Sequence, residues 1–443
     1  VGAGVDYIFI GDDFTGASDT LATLARAGRR VRLFLDPPDA AAIAEEGLDA
    51  VGLATEFRAL PAEAIAVQMD VLAPLLKALS PRIVHYKVCS TFDSSPETGS
   101  IGAAVAVLER HLDPALVAVM GGQPSLERYC AFGNLFASGP DGQIHRIDRH
   151  PVMRNHPITP MAEADLRIHL ARQGLQDLLL LAWPEIEERR ATLKTHVDEL
   201  MRAGKKRMLF DACDQGHLET IGAALGGCGS DGRPLLIVGA SSVAEALSGD
   251  LRPPGVAAPA QGSRTEGLCL VLAGSRSQVT AAQVKAARRF KPMPIQPRHL
   301  ADKTAAGAFA ASCAAALAAG ENVLAHLAPT EDYRCSGAEL SCKLANLVAA
   351  ILDRQTVCAL GVAGGDTSSI IVRRLGFRSL AFEEQLDAGV AICVAASDMP
   401  QRDGMRLMLK GGQVGSDAVF DRFVSAMNTK SPTTPSGLWR HHP

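Results

Sequence analysis

Short apolar runs alternate with stretches of helical apolar period along almost the whole chain, and a chain patterned in this way buries its strands in a mostly parallel sheet with helices on both faces. Residues 6–10, 30–35, 49–54, 82–88, 116–120, 178–182, 208–211 and 235–238 read as buried strands, with helical patterns between most of them. The alternation then breaks at Leu-Arg-Pro-Pro-Gly-Val-Ala-Ala-Pro-Ala-Gln-Gly-Ser, residues 251–263, which has the composition of a linker. It restarts with strands expected at 268–273, 323–327, 357–362, 390–394 and 406–409, and helices at 277–290, 303–320, 336–354, 367–376 and 416–427. At 443 residues the chain is long for one core. The reading is therefore two α/β domains, each a mainly parallel sheet flanked by helices: residues 1–250, a linker at 251–266, residues 267–428, and a Ser/Thr/Pro/His-rich tail at 429–443. Residues 121–161 carry so much turn chemistry that they read as an excursion from the first sheet, serving a lid, a subunit contact or a site equally well.

Charge and cysteine usage exclude several classes. Lys and Arg total 44 against 48 Asp and Glu, with no block of one sign, so a nucleic-acid partner is not expected. The 10 cysteines lie mostly inside apolar runs, none in a Cys-x-x-Cys pair, and the histidines show no ligand spacing with them; reduced core cysteines and no structural metal are expected. The first residues lead straight into a strand without the pattern of a secretory leader, and the Ala-rich stretch 305–320 is too short to span a bilayer. The expectation is a soluble cytoplasmic protein without a membrane partner, a homo-oligomer being left open.

Asp12 and Asp13 close the first apolar run, and Ala17, Leu21, Leu24, Ala25 and Gly28 follow at the spacing of one helix face. The two carboxylates and Thr15 thus occupy a strand-to-helix turn, where open α/β sheets bind ligands. A helix cap accounts for one of these polar residues and leaves the second carboxylate repelling the first. Lys87 and Ser90, in Tyr86-Lys87-Val88-Cys89-Ser90-Thr91-Phe92-Asp93-Ser94, and Arg58 end two other strands, giving a pocket of both charge signs suited to a short hydroxy-acid. In the second domain, Ala363-Gly364-Gly365-Asp366-Thr367 at a strand-to-helix turn is a recipe for holding an anion on main-chain amides. Gly274-Ser275-Arg276-Ser277 and Lys410-Gly411-Gly412-Gln413-Val414-Gly415 are two further loops at strand ends that can converge with it; an ordinary capped helix explains each alone. Neither a Walker A loop nor a dinucleotide fingerprint is present.

Gly11-Asp12-Asp13-Phe14-Thr15-Gly16-Ala17, the 86–94 motif, His156-Pro157-Ile158-Thr159-Pro160-Met161, Gly274-Ser275-Arg276-Ser277 and Gly364-Gly365-Asp366-Thr367-Ser368 together resemble the successive motifs of the four-carbon acid sugar kinase family, in order and over nearly the whole chain. The resemblance implies an N-terminal domain for a tetronate-like acid, a C-terminal domain for ATP, and an active site in the interdomain cleft. It places Asp12, Arg58, Lys87, Val88, Cys89 and Ser90 on the substrate, and Ser275, Gly364, Gly365, Asp366, Thr367 and Gly412 on the nucleotide. The mechanism expected is ATP-dependent phosphorylation of a hydroxyl of threonate, erythronate or a 3-oxo-tetronate, with Asp12 or Asp13 as base and the other holding a substrate hydroxyl or Mg²⁺. Two departures stand out: the family's last loop more often reads Lys-Ser-Gly followed by Phe-Gly, and residues 121–130 differ from the usual pattern, pointing to an atypical substrate. A phosphatase, an aldolase-like enzyme using Lys87, and a non-catalytic nucleotide or metabolite sensor are the alternatives; ATP consumption that depends on an added sugar acid separates them.

Overall fold

The computed structural model describes residues 5–156, 158–229, 232–249, 267–387 and 389–428, apart from the side chains of Asp366 and Asn428. The expected linker and tail, and the side chain of Asp366, lie outside the described residues. The N-terminal lobe contributes β1 (Tyr7–Gly11), β2 (Val31–Phe34), β3 (Ala50–Ala54), β4 (Ile83–Lys87) and β5 (Leu116–Met120). After β5 come three short strands of the excursion, β6 (Arg128–Ala131), β7 (Asn134–Ser138) and β8 (Ile144–Arg146), which form their own antiparallel sheet. The main sheet then takes up β9 (Leu179–Leu181), β10 (Arg207–Phe210) and β11 (Leu235–Gly239), in the spatial order β2-β3-β1-β4-β11-β5-β10-β9 with every pair parallel. All five residues of β1 are buried, Tyr7 and Phe9 against one layer of helices and Ile8 and Ile10 against the other. This is the signature of a central parallel strand covered on both faces.

The C-terminal lobe holds β12 (Cys269–Ala273), β13 (Lys291–Ile295), β14 (Val323–Leu327), β15 (Ala359–Ala363), β16 (Phe377–Asp387), β17 (Val390–Ser397) and β18 (Arg406–Lys410). The order is β13-β14-β12-β15-β18 in parallel, continued by antiparallel β17 and β16. The two lobes also share one sheet. β16 pairs antiparallel with β2 through Ser379 opposite Phe34 and Leu380 opposite Leu33, which makes a 15-stranded whole. Across this joint lies α1 (Phe14–Arg26), whose buried Ala17, Leu21 and Leu24 belong to a core shared by both lobes. The same helix packs on β1 to β3 and on β16, β17 and the helix Gly365–Arg374.

Strand order decides where the site sits. From β1 the chain moves to β2 and β3 on one side, then crosses to β4 on the other, so a crevice opens above the carboxyl ends of β1 and β4. The same reversal occurs between β12 and β15 in the second lobe. The first crevice receives Asp12 and Lys87; the second receives Gly274, Ser275 and Gly364.

Candidate active site

The two adjacent aspartates diverge. Asp13 is the N-cap of α1: its backbone is extended, one carboxylate oxygen accepts the Gly16 amide at 2.7 Å, and the other pairs with Arg58 at 2.6 Å. Burial opposes its charge, yet Arg58, Lys87 and the Gly16 amide outweigh that and hold the carboxyl below the ordinary aspartate value. The cap reading is thus right for Asp13, which adds an ion pair to it. Asp12 faces inward, 5% exposed, and its Oδ1 has no hydrogen-bond partner. Burial, and then the charge of Asp13, push its pKa up to about 7, with Arg58 and Lys87 pulling the other way. A half-ionised carboxylate with a bare oxygen is what a general base at neutral pH requires.

The cations are placed by neighbouring strand ends. Arg58 follows β3 in a short 3-10 turn, its amide bonded to the Asp12 carbonyl at 3.0 Å. Burial works against its charge, but Asp13 and Asp93 stabilise it further, and the guanidinium stays protonated throughout. Lys87 ends β4, 4% exposed, with its ammonium donating to the Val88 carbonyl at 2.8 Å. It rests against the first turn of α1: a Cβ on Gly16 would lie 2.2 Å from the Lys87 Nζ, so only glycine leaves the lysine this place. Val88 buries its side chain in the core and can offer a ligand only backbone. The Cys89 thiol, pushed up to about 11 by burial and Asp93, is neutral, with its sulfur 3.0 Å from Thr91 Oγ1. Ser90 is half-buried in the same turn.

Asp93 and Thr159 complete the pocket wall, and neither was assigned a role from sequence, although both stand in quoted motifs. Thr91 Oγ1 donates to Asp93 Oδ1 at 2.5 Å and Thr159 Oγ1 to Oδ2 at 3.4 Å. Thr159 is in turn fixed by His156, whose Nδ1 accepts its amide at 3.1 Å. The excursion therefore returns to the site, and a separation of 66 positions in the sequence hides that contact from periodicity. Its hairpin is anchored by buried Asp211, which accepts the amides of Phe132, Gly133 and Trp183.

On the opposite wall, the helix Gly365–Arg374 starts at Gly364, which has φ +135 and no side-chain cap, so the first-turn amides remain open for an anion. Gly274 and Ser275 both donate their amides to the Ala363 carbonyl at 2.9 Å, which sets their loop beside it. Thr367 is buried between these loops, against Gly274 and Gly364, with its hydroxyl 3.2 Å from that of Ser341. Ser277 is a cap, accepting the Thr280 amide, and its hydroxyl and that of Thr280 donate to the Gly412 carbonyl. Gln283 likewise bonds three carbonyls at 414–416, so these side chains shape the last loop instead of facing a ligand. Gly412 packs on Ser275: a Cβ there would stand 2.3 Å from the Ser275 hydroxyl. All three glycine loops therefore converge.

The walls meet. Thr15, three residues after Asp12, places its hydroxyl 3.1 Å from where a Cβ on Gly365 would be and its methyl 3.8 Å from the same point on Gly411. Arg373, from the far end of the nucleotide-side helix, pairs with Glu56 and Asp36 of the first lobe and donates to the Ala54 carbonyl. Gly364→Ala tests the cradle. An L side chain resists φ +135, and its Cβ would crowd Thr367 and the Ser275 amide at 3.3 and 3.4 Å. We expect KM for ATP to rise roughly tenfold or more while KM for the acid moves less than about threefold, as steady-state kinetics with each substrate varied will show.

Comparison with known proteins fits this division. A family model described as a sugar-binding N-terminal domain matches residues 7–247, and one described as a nucleotide-binding C-terminal domain matches residues 270–420. The 3-oxo-isoapionate kinase of Paraburkholderia graminis is 34% identical over 446 residues, covering 94% of this chain and 93% of that protein. The 3-oxo-tetronate kinase of Methylobacterium radiotolerans is 31% identical, covering 94% and 98%, and that of Cupriavidus necator 31%, covering 93% and 95%. A solved structure from Salmonella typhimurium, described as a tRNA synthase, superimposes with a TM-score of 0.79 at 24% identity over 96% of this chain and 100% of that one. At that identity the likeness speaks for the fold alone. No helix among the described residues is long and apolar enough to cross a membrane. The chain belongs to the four-carbon acid sugar kinase family: it is an ATP-using phosphotransferase whose acceptor is a hydroxyl of a sugar acid.

Proposed function

We propose that the acceptor is a 3-oxo sugar acid, of four carbons or branched, and that Asp12 is the base that deprotonates its hydroxyl. The observation carrying this reading is the bare, buried Oδ1 of Asp12 beside the turn that touches the nucleotide cradle. The substrate hydroxyl would give its proton to Asp12 as its oxygen bonds to the γ-phosphorus and the bond to the ADP oxygen breaks. Arg58 and Lys87 would hold the acid's carboxylate, and Asp13 would keep Arg58 aimed. The open first-turn amides of the helix that begins at Gly365, with Ser275 and Gly412, would hold the phosphates, while the Gly364 amide, bonded to the Lys410 carbonyl at 2.9 Å, would fix the turn that presents them. The 3-oxo group is supported by the relatives named above, which carry it in linear and branched acids alike.

Magnesium fits as a nucleotide-borne ion. Among the described residues no three His, Cys, Asp or Glu side chains cluster as a metal cage, and Mg²⁺ bound through phosphates and water needs none. The phosphates resting on the Gly365 turn would hold the ion, and when bound it would neutralise their charge, which leaves the bare oxygen of Asp12 to the substrate hydroxyl.

A coupled ADP-release screen tests the assignment with 3-oxo-tetronates, a branched 3-oxo-isoapionate, threonate and erythronate. The expected outcome is a kcat/KM at least about tenfold higher for a 3-oxo acid than for its 3-hydroxy counterpart. Equal use of both would remove the 3-oxo assignment, and ATP consumption with none of them would remove the sugar-acid reading of the pocket.

A further inference from the structure

Four hydroxyls stand on α1, and three of them are satisfied within the helix. Ser18 donates to the Thr15 carbonyl, Thr20 to Gly16 and Thr23 to Asp19. Thr15 lies in the first turn, where no preceding helical carbonyl is available, and its Oγ1 is shielded from solvent without any hydrogen-bond partner. Such a group is kept where something outside the chain completes it. Its surroundings say what that is. The hydroxyl stands 3.1 Å from the Cβ position of Gly365, in the uncapped first turn of the nucleotide-side helix, and the methyl contacts the Gly411 loop. Asp12, whose Oδ1 is also without a partner, is three residues away on the same turn.

We propose that Thr15 is a catalytic residue that donates its hydroxyl hydrogen bond to the phosphoryl group as it passes between the lobes. This deepens the function proposed above and rests on it. The acceptor lobe thereby contributes a contact to the nucleotide's terminal phosphate, made from the side opposite the main-chain cradle. In transfer the substrate proton goes to Asp12, the new oxygen–phosphorus bond forms as the bond to ADP breaks, and Thr15 keeps its proton throughout. A neutral donor aimed at the equatorial oxygens gains strength as charge redistributes over them, so the contact lowers the barrier more than it tightens binding.

Thr15→Val keeps the volume and removes the hydroxyl; Thr15→Ser keeps the hydroxyl. With ATP and the best acid of the screen, kcat of Thr15→Val should fall about 10²-fold with both KM values changing less than about threefold, and Thr15→Ser should stay within about fivefold of wild type. Thr15→Val should unfold at or above the wild-type temperature, because it loses an unsatisfied polar atom. A valine variant that keeps its turnover, or a serine variant that falls as far as the valine one, would overturn the proposal. Calorimetry with ADP alone and with ADP plus aluminium fluoride separates this from the identity of the acid: Thr15→Val should weaken only the fluoride complex. Equal binding of that complex by wild type and variant defeats the Thr15 role, whereas a wild type inactive with every acid defeats the substrate assignment.

Discussion

Asp12→Asn will be a folded protein that binds both substrates and turns over roughly 10²- to 10⁴-fold more slowly, the range for loss of a general base. Asparagine keeps the shape of the side chain and its place 5% exposed beneath the site, so the loss belongs to kcat, with KM for the acid and for ATP changing little. The wild-type rate should follow ionisation of the same group. With a pKa of about 7, turnover rises as pH is raised from about 5 to 8 and levels off above that, and the variant loses this dependence. Stability runs in the opposite direction. Burial raises the folded-state pKa of Asp12 above the ordinary aspartate value, so its contribution is intact below about pH 4 and is lost as pH climbs through about 7. Asp12→Asn should therefore melt above wild type at pH 8, by a free energy on the order of a few kcal/mol, with the difference closing at acid pH. Thermal scans across pH check the sign. Full activity in the variant, or a wild-type rate flat from pH 5 to 8, would take the base away from Asp12.

Asp12 and Asp13 also show where the sequence stops being readable. Their strand-to-helix setting follows from the apolar run and the period of α1, and so does the pairing of each glycine loop with a strand end. Which carboxylate is free does not follow. That depends on the Gly16 amide and Arg58 both going to Asp13, and Arg58 arrives from the turn after β3, 45 residues on (58 − 13). The missed strands share a cause. β13 is Lys-Pro-Met-Pro-Ile, whose prolines argue against a strand yet suit an edge that pairs with β14 alone. β16 carries Glu-Glu-Gln in its middle and pairs with β2 over just two residues, so neither its pattern nor its partner is local. β6 to β8 are three to five residues long, turned at Phe132 and Gly133, and their anchor Asp211 is some 80 residues downstream. The joint between lobes was invisible for that reason, although it is what sets the Asp12 turn against the Gly365 turn.

Arg58→Met should raise KM for the sugar acid about 10²-fold, since a charge-assisted contact is worth roughly 1.5–3 kcal/mol. KM for ATP should move less than about threefold, because the guanidinium pairs with Asp13 on the sugar-acid side of the cleft. The same change removes the partner of Asp13. Its carboxylate, 17% exposed, then keeps only the Gly16 amide, and the protein should lose about 1–3 kcal/mol of stability. That loss has its own pH signature. Arg58 holds the Asp13 pKa down against burial, so the stability it confers is present above the unfolded aspartate value and is lost as pH falls through the folded one. Wild type and variant should therefore differ most at neutral pH and converge as pH falls below the ordinary aspartate range. Arg58→Lys keeps the charge and gives up the planar fork, so it should recover part of the stability and less of the acid binding. These two readouts separate two roles for one guanidinium. If melting temperature falls while KM for the acid holds, Arg58 is a clamp on Asp13 and the substrate carboxylate is gripped by Lys87 alone. If the melting temperature falls and KM for the acid rises together, the ion pair that steadies the turn is also the part of the pocket that recognises the acid.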